Sequence, residues 1–114
     1  MAISNTQVTS ANTLIYTSSG NTAITTIIFC NTTAYNSENP EANQSLLYVY
    51  AVPNVGGIAG TASTSNIIIN GLPIPAGETV SLDQEKLVLS LGDTLVAKTD
   101  SLSNITATVS SLAV

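Results

Sequence analysis

Apart from its hydroxyls, this 114-residue chain has few side chains that could do chemistry: seven carboxylates, two lysines, one cysteine and four tyrosines, with no histidine. Glu38 and Glu41 are a carboxylate pair close in sequence, the kind of pair that cleaves a glycosidic bond when it flanks one. They sit in Asn36-Ser37-Glu38-Asn39-Pro40-Glu41, a run of turn formers, and a solvated loop accounts for them. Asp83, Glu85 and Asp93 gather around consecutive turns and are hard oxygen donors, yet they lack the alternating-ligand spacing of a calcium loop. Cys30 ends the apolar stretch Ile27-Ile28-Phe29-Cys30, where a lone thiol behaves as a small buried hydrophobe. With no second cysteine there is no intrachain disulfide, and with no histidine neither a thiol nor a serine has its usual activating base. The glycines of Val55-Gly56-Gly57-Ile58-Ala59-Gly60 could be mistaken for a phosphate cradle, but no Lys-Ser/Thr pair follows them. The residues thus predict no catalytic centre, no cofactor and no metal site. The chain reads as a non-enzyme.

Charge narrows the partners. Charged residues make up 8% of the chain, against about 25% in ordinary globular proteins. A monomer normally keeps itself soluble with a mixed charged surface, so this deficit predicts that much of the surface is covered in the working state. Two cations against a net charge of −5 leave a nucleic-acid backbone almost nothing to bind. No apolar run approaches the ~20 residues that span a bilayer, and the first residues lack the basic and apolar regions of a secretory signal. Neither nucleic acid nor membrane is an expected partner.

Short apolar and hydroxyl-rich runs separated by turn residues predict about eight strands and no helix. The runs are Thr13 to Tyr16, Thr22 to Asn31, Ser45 to Val52, Asn66 to Asn70, Thr79 to Leu82, Lys86 to Ser90, Thr94 to Thr99 and Asn104 to Ser110. Asp83-Gln84-Glu85 and Gly92-Asp93 are turns, Pro53 ends the strand before it, and residues 55–65 form a flexible Gly/Ser/Thr connection. Spacing of this kind indicates an all-β, antiparallel two-sheet sandwich, jelly-roll-like or immunoglobulin-like. One domain over 13–114 is expected, preceded by a polar, flexible N-terminal arm over 1–12.

Two of the runs are apolar on both faces. Strict alternation puts Ala23, Thr25, Ile27 and Phe29 on one side of the first, and Ile24, Thr26, Ile28 and Cys30 on the other. In the second, Leu46, Tyr48, Tyr50 and Val52 oppose Leu47, Val49 and Ala51. A strand with two apolar faces needs cover on both, from a second sheet or from another subunit. Ile24, Ile28, Leu47, Tyr48 and Tyr50 are therefore the interface candidates. The outward Thr and Ser residues supply few of the lysines, prolines and bulges that protect sheet edges, which also predicts assembly.

The order of segments adds a resemblance. Thr22 to Thr33 (TAITTIIFCNTT), Ser45 to Pro53 (SLLYVYAVP), Gly71 to Val80 (GLPIPAGETV) and Leu87 to Ala97 (LVLSLGDTLVA) together resemble a family of small virion structural proteins of tailed bacteriophages. The likeness covers about residues 13 to 110, in fold motifs and not in active-site motifs. It implies a β-sandwich carried in many copies on the virion, assembled in the host cytoplasm. Its partner would be the major capsid protein or another virion protein, and it would act as a homo-oligomer, a trimer being one form such proteins take. The placement it implies is that of a head decoration or cement protein. A tail, neck or baseplate component, or a fibre or adhesin module binding host glycan through Tyr35, is the alternative.

Overall fold

The computed structural model describes residues 2–83 and 86–114. Within them lie nine strands and no helix: β1 (Ala2–Val8), β2 (Thr13–Thr17), β3 (Thr22–Asn31), β4 (Ser45–Val52), β5 (Ile67–Ile74), β6 (Thr79–Leu82), β7 (Leu87–Leu89), β8 (Thr94–Thr99) and β9 (Ile105–Ala113). One sheet runs β1-β9-β3-β6, with β7 beside β6 along β3, and the other runs β2-β8-β4-β5. The smallest dimension of the molecule, 20 Å, accommodates two sheets about 10 Å apart and their outer side chains.

Four of the six neighbour pairs in these orders are the rungs of one long hairpin. β4 pairs antiparallel with β5, β3 with β6, β2 with β8 and β1 with β9. With β7 set aside, the hairpin folds at the connection between β4 and β5 and rolls so that its successive strand pairs alternate between the sheets, which brings β3 beside β9 and β4 beside β8. That winding is the jelly roll, the first of the two sandwich topologies expected. β7 supplements it, pairing with Thr22–Ile24 of β3 while β6 takes Ile27–Cys30.

Between the sheets, Ile24, Ile27 and Phe29 of β3 meet Leu47 and Val49 of β4, Leu95 and Ala97 of β8, and Ile105, Ala107 and Val109 of β9. Each large side chain buried here contributes about 1.5–3 kcal/mol. Polar residues tie the edge of this core together. Buried Asn31 donates to the carbonyls of Asn43 (2.9 Å) and Ile74 (3.0 Å), and its side-chain oxygen accepts from the Thr33 amide (3.1 Å). Asn104 joins the same knot, donating to the Asn43 carbonyl and the Thr33 hydroxyl and accepting from Ser45. The loop between β3 and β4 is thereby fastened to both sheets.

Several expectations change. The segment expected as a flexible arm is strand β1, with all seven residues in continuous register against β9 and Val8 fully buried. Its inward positions Ser4 and Thr6 are polar, so it carries little hydrophobic signal. The backbone ladder forms without one. Ile24 does not face outward. The β3–β9 register shifts between Ile24 and Thr26, leaving Thr25 as a bulge, and side-chain parity reverses there: Thr22 and Ile24 point inward before the bulge, Ile27 and Phe29 after it. Leu47 likewise belongs to the core. β5 continues beyond Asn70 through Pro73, which is tolerated because β5 is an edge strand, and it carries two bulges, at Ile68 and Gly71. Of the turn expected at residues 83–85, Gln84 and Glu85 lie outside the described residues.

Candidate docking faces

The described carboxylates and the thiol do not gather into one cluster. Among the described residues no three of His, Cys, Asp and Glu come close enough to share a metal ion. Glu38 and Glu41 are exposed on a string of tight turns, closed by Asn39 N–H to Asn36 O (3.2 Å) and Ala42 N–H to Asn39 O (3.0 Å). Asp93 serves the fold: its two carboxylate oxygens accept the backbone amides of Asn54 (2.8 Å) and Ser90 (2.9 Å), pinning the corner before β8. It is also the one titratable residue in a shallow, mostly apolar depression lined by Ala51, Val52, Pro53 and Leu87–Leu89. No described buried side-chain nitrogen or oxygen is left without a partner.

Gly56 and Gly57 have φ of +62° and +80°, and Val55 and Ile58 exchange backbone hydrogen bonds of 3.0 and 3.1 Å across them. Positive φ at both central residues is the requirement of a type I′ hairpin turn, which explains the glycine pair without a phosphate. Residues 55–65, expected to be a flexible connection, form a return closed by Asn66, whose side chain binds Thr61 O (2.9 Å) and Ser63 N–H (3.0 Å).

What remains are the outer faces of the two sheets, and the three interface candidates outside the core, Ile28, Tyr48 and Tyr50, divide between them. On the β2-β8-β4-β5 sheet, Tyr50 and Val52 point away from the core yet are only 7% and 2% exposed. The return after β4 lies over this end: a Cβ at Gly60 would stand 2.9 Å from Val52 Cγ1. In register, Val96 and Ile67 flank Tyr50. Tyr48 is half-buried, with Gly71 against its ring and Lys98 Nζ 5.3 Å from the ring centroid, a cation–π pair worth about 0.5–1 kcal/mol. This end of the face is covered from within the chain, so Tyr48 and Tyr50 are intramolecular packing residues, while Leu14 (55%), opposite Val96, and Ile68 (43%) stay exposed toward the β2 and β5 edges.

The face of the β1-β9-β3-β6 sheet has no such cover. Register places Gln7, Thr106, Cys30 and Thr79 in one cross-strand row and Asn5, Thr108, Ile28 and Ser81 in the next. Ile3, Ser110 and Thr26 form a third, and Leu112, Ala23 and Val88 a fourth. None of these residues is charged. Ile3 (69%), Val88 (70%), Leu112 (43%) and Ile28 (38%) are its exposed apolar side chains. Hydroxyls and amides surround them, partly bonded to one another, as in Thr108 Oγ1 to Asn5 Oδ1 at 2.8 Å. The described carboxylates lie in connections between strands. Of the five interface candidates, only Ile28 belongs to it.

Sequence reasoning missed Ile3, Val88 and Leu112. The available signal was alternation: Ile3, Asn5 and Gln7 share a face as soon as residues 2–8 are allowed to be a strand. Comparison with protein-family models, with curated proteins and with solved structures finds no match, so the geometry of the chain itself carries the functional reading.

Proposed function

We propose that this chain is a non-catalytic structural protein that works in many copies, docking the uncharged outer face of its β1-β9-β3-β6 sheet against a neighbouring protein of a larger assembly, and that the assembly is a phage head shell which it decorates and stabilises. The observation that carries this reading is the contiguous exposed face centred on Ile28, without a charged residue in any of its four rows. A lone soluble domain gains nothing from such a face, whereas a docked one avoids desolvating charges. The sequence resemblance to tailed-phage virion proteins supplies the kind of assembly. The jelly-roll order agrees with it, since capsid domains use that winding, although lectin domains do too and a fold alone does not fix a function. Each site would gain about 25 cal/mol per Å² of apolar area covered, less the cost of association. Repetition over a shell turns weak contacts into avidity.

Particles assembled without this protein should form but lose resistance to heat. Adding back the purified chain should restore it, and adding back Ile28→Lys should not. Equal heat resistance with and without the protein would overturn the cementing role. A tail, neck or baseplate site would show as binding to those parts and not to the shell. The adhesin alternative rests on Tyr35, which is 59% exposed in the loop between β3 and β4; glycan binding that disappears in Tyr35→Ala would favour it over decoration.

A further inference from the structure

Four edges bound the two sheets, and three of them are guarded. The β6/β7 edge is broken into strands of four and three residues, and Lys86 crosses the gap between them, its Nζ donating to the carbonyl of the bulged Thr25 (2.9 Å) and to that of Asp83. β5 carries Pro73 and two bulges, and β2 has five residues with a register break at Ile15. β1 has none of these devices. It pairs with β9 over seven consecutive residues and contains no proline, no charge and no bulge. Among the described residues no hydrogen bond from outside β9 reaches the backbone of Ala2–Val8. A regular free edge of this kind is a template for another strand.

We infer that the partner of this edge is β1 of a second copy, paired antiparallel across a two-fold axis at Asn5. Only alternate residues turn their N–H and C=O groups toward the edge, so two identical strands can pair only where partners have the same parity in sequence. Centring on Asn5 meets this condition with no residue left over: Ala2 faces Val8, Ile3 faces Gln7, Ser4 faces Thr6 and Asn5 faces itself. The same centring keeps inward residues opposite inward residues, so neither core is disturbed. Asn5 Oδ1 already accepts the Thr108 hydroxyl, which leaves its amide hydrogens for the Asn5 of the second copy. β1, β9 and β3 bear no charged side chain, so the net charge of −5 carried by each copy is kept away from the seam. The product is one sheet continued through both copies, its two uncharged faces merged. This pairing does not rest on the virion reading; it belongs to the chain in free solution.

Mass in solution, measured by light scattering and sedimentation on the full chain, tests the pairing. Wild type should have twice the chain mass of 11.7 kDa. Asn5→Lys sets two cations opposite each other on the exposed side of the seam and should shift the mass to that of one chain, with an unchanged circular dichroism spectrum. An equimolar mixture of Asn5→Lys and Asn5→Asp should recover the doubled mass. Should the lysine variant fail to fold, Asn5→Cys in a Cys30→Ser background gives a second reading: opposed residues lie about 4.5–5.5 Å apart at Cα, within disulfide reach, so oxidation should yield a covalent dimer, while Ile3→Cys in the same background should not. A wild type with the mass of one chain, a dimer that survives Asn5→Lys but is lost in Ile28→Lys, or no covalent dimer on oxidation of the Asn5→Cys variant would each overturn the edge pairing. Heat protection of particles by a single-chain species would overturn it while leaving the decoration role intact.

Discussion

The two outer faces of this sandwich are made from similar material, yet one is covered along its β4 strand while the other is open along its middle strands; exposed Leu14 and Ile68 lie toward the edges of the first. On the β2-β8-β4-β5 side, Tyr48, Tyr50 and Val52 are covered from within the chain, by Lys98, by Gly71 and by the return after β4. On the β1-β9-β3-β6 side, Ile3, Ile28, Val88 and Leu112 remain in water. The difference lies in the connections. The passage from β4 to β5 is long enough to cross its own sheet, whereas β9 and β3, the middle strands of the other sheet, have no described segment crossing their outer face. Outward apolar residues therefore do not by themselves identify a docking surface; what matters is whether the chain has already spent a segment on covering them.

The sharpest way to break this comparison is to truncate a covered residue. Tyr50→Ala should lower stability by about 3 kcal/mol, because it empties a packed site. Chemical denaturation would read this as a lower midpoint at unchanged slope, and a loss below about 1 kcal/mol would mean the cover is loose. Gly60→Ala probes the cover itself. The added Cβ would stand 2.7 Å from the Pro53 carbonyl oxygen and 2.9 Å from Val52 Cγ1, so the return must lift, at a cost of about 1–2 kcal/mol. Faster amide exchange at residues 53–66 would accompany the loss. The smallest effect belongs to the open face: Val88→Thr, at a site 70% exposed, should leave the stability of the dissociated chain within about 0.5 kcal/mol of wild type. A larger loss there would show that something already covers Val88 and would erase the contrast between the faces.

Much of the strand pattern is legible in the residues. Thr22–Asn31, Ser45–Val52, Thr79–Leu82 and Thr94–Thr99 begin and end where turn residues say they should. Local composition decides this, since β-branched and aromatic runs favour extended backbone and Asn, Gly and Pro interrupt it. The candidate site was far less legible. Ile24 looked outward because strict alternation was carried through Thr25, and a bulge depends on how β3 matches β9 some 80 residues away, which β3 alone does not encode. Tyr50 looked available because nothing in Ser45–Val52 announces how deeply its ring is packed between Val96 and Ile67 or that a return lies over Val52 beside it.

Residue types and their near neighbours alone settled that the chain is all-β, poor in charged side chains and without histidine, because each of these is a local sum. Only the tertiary structure decided that residues 2–8 form a strand, which faces are wet and which edge stays open. Those properties arise from backbone pairing and chain crossing, and a backbone hydrogen bond is indifferent to the side chain it carries.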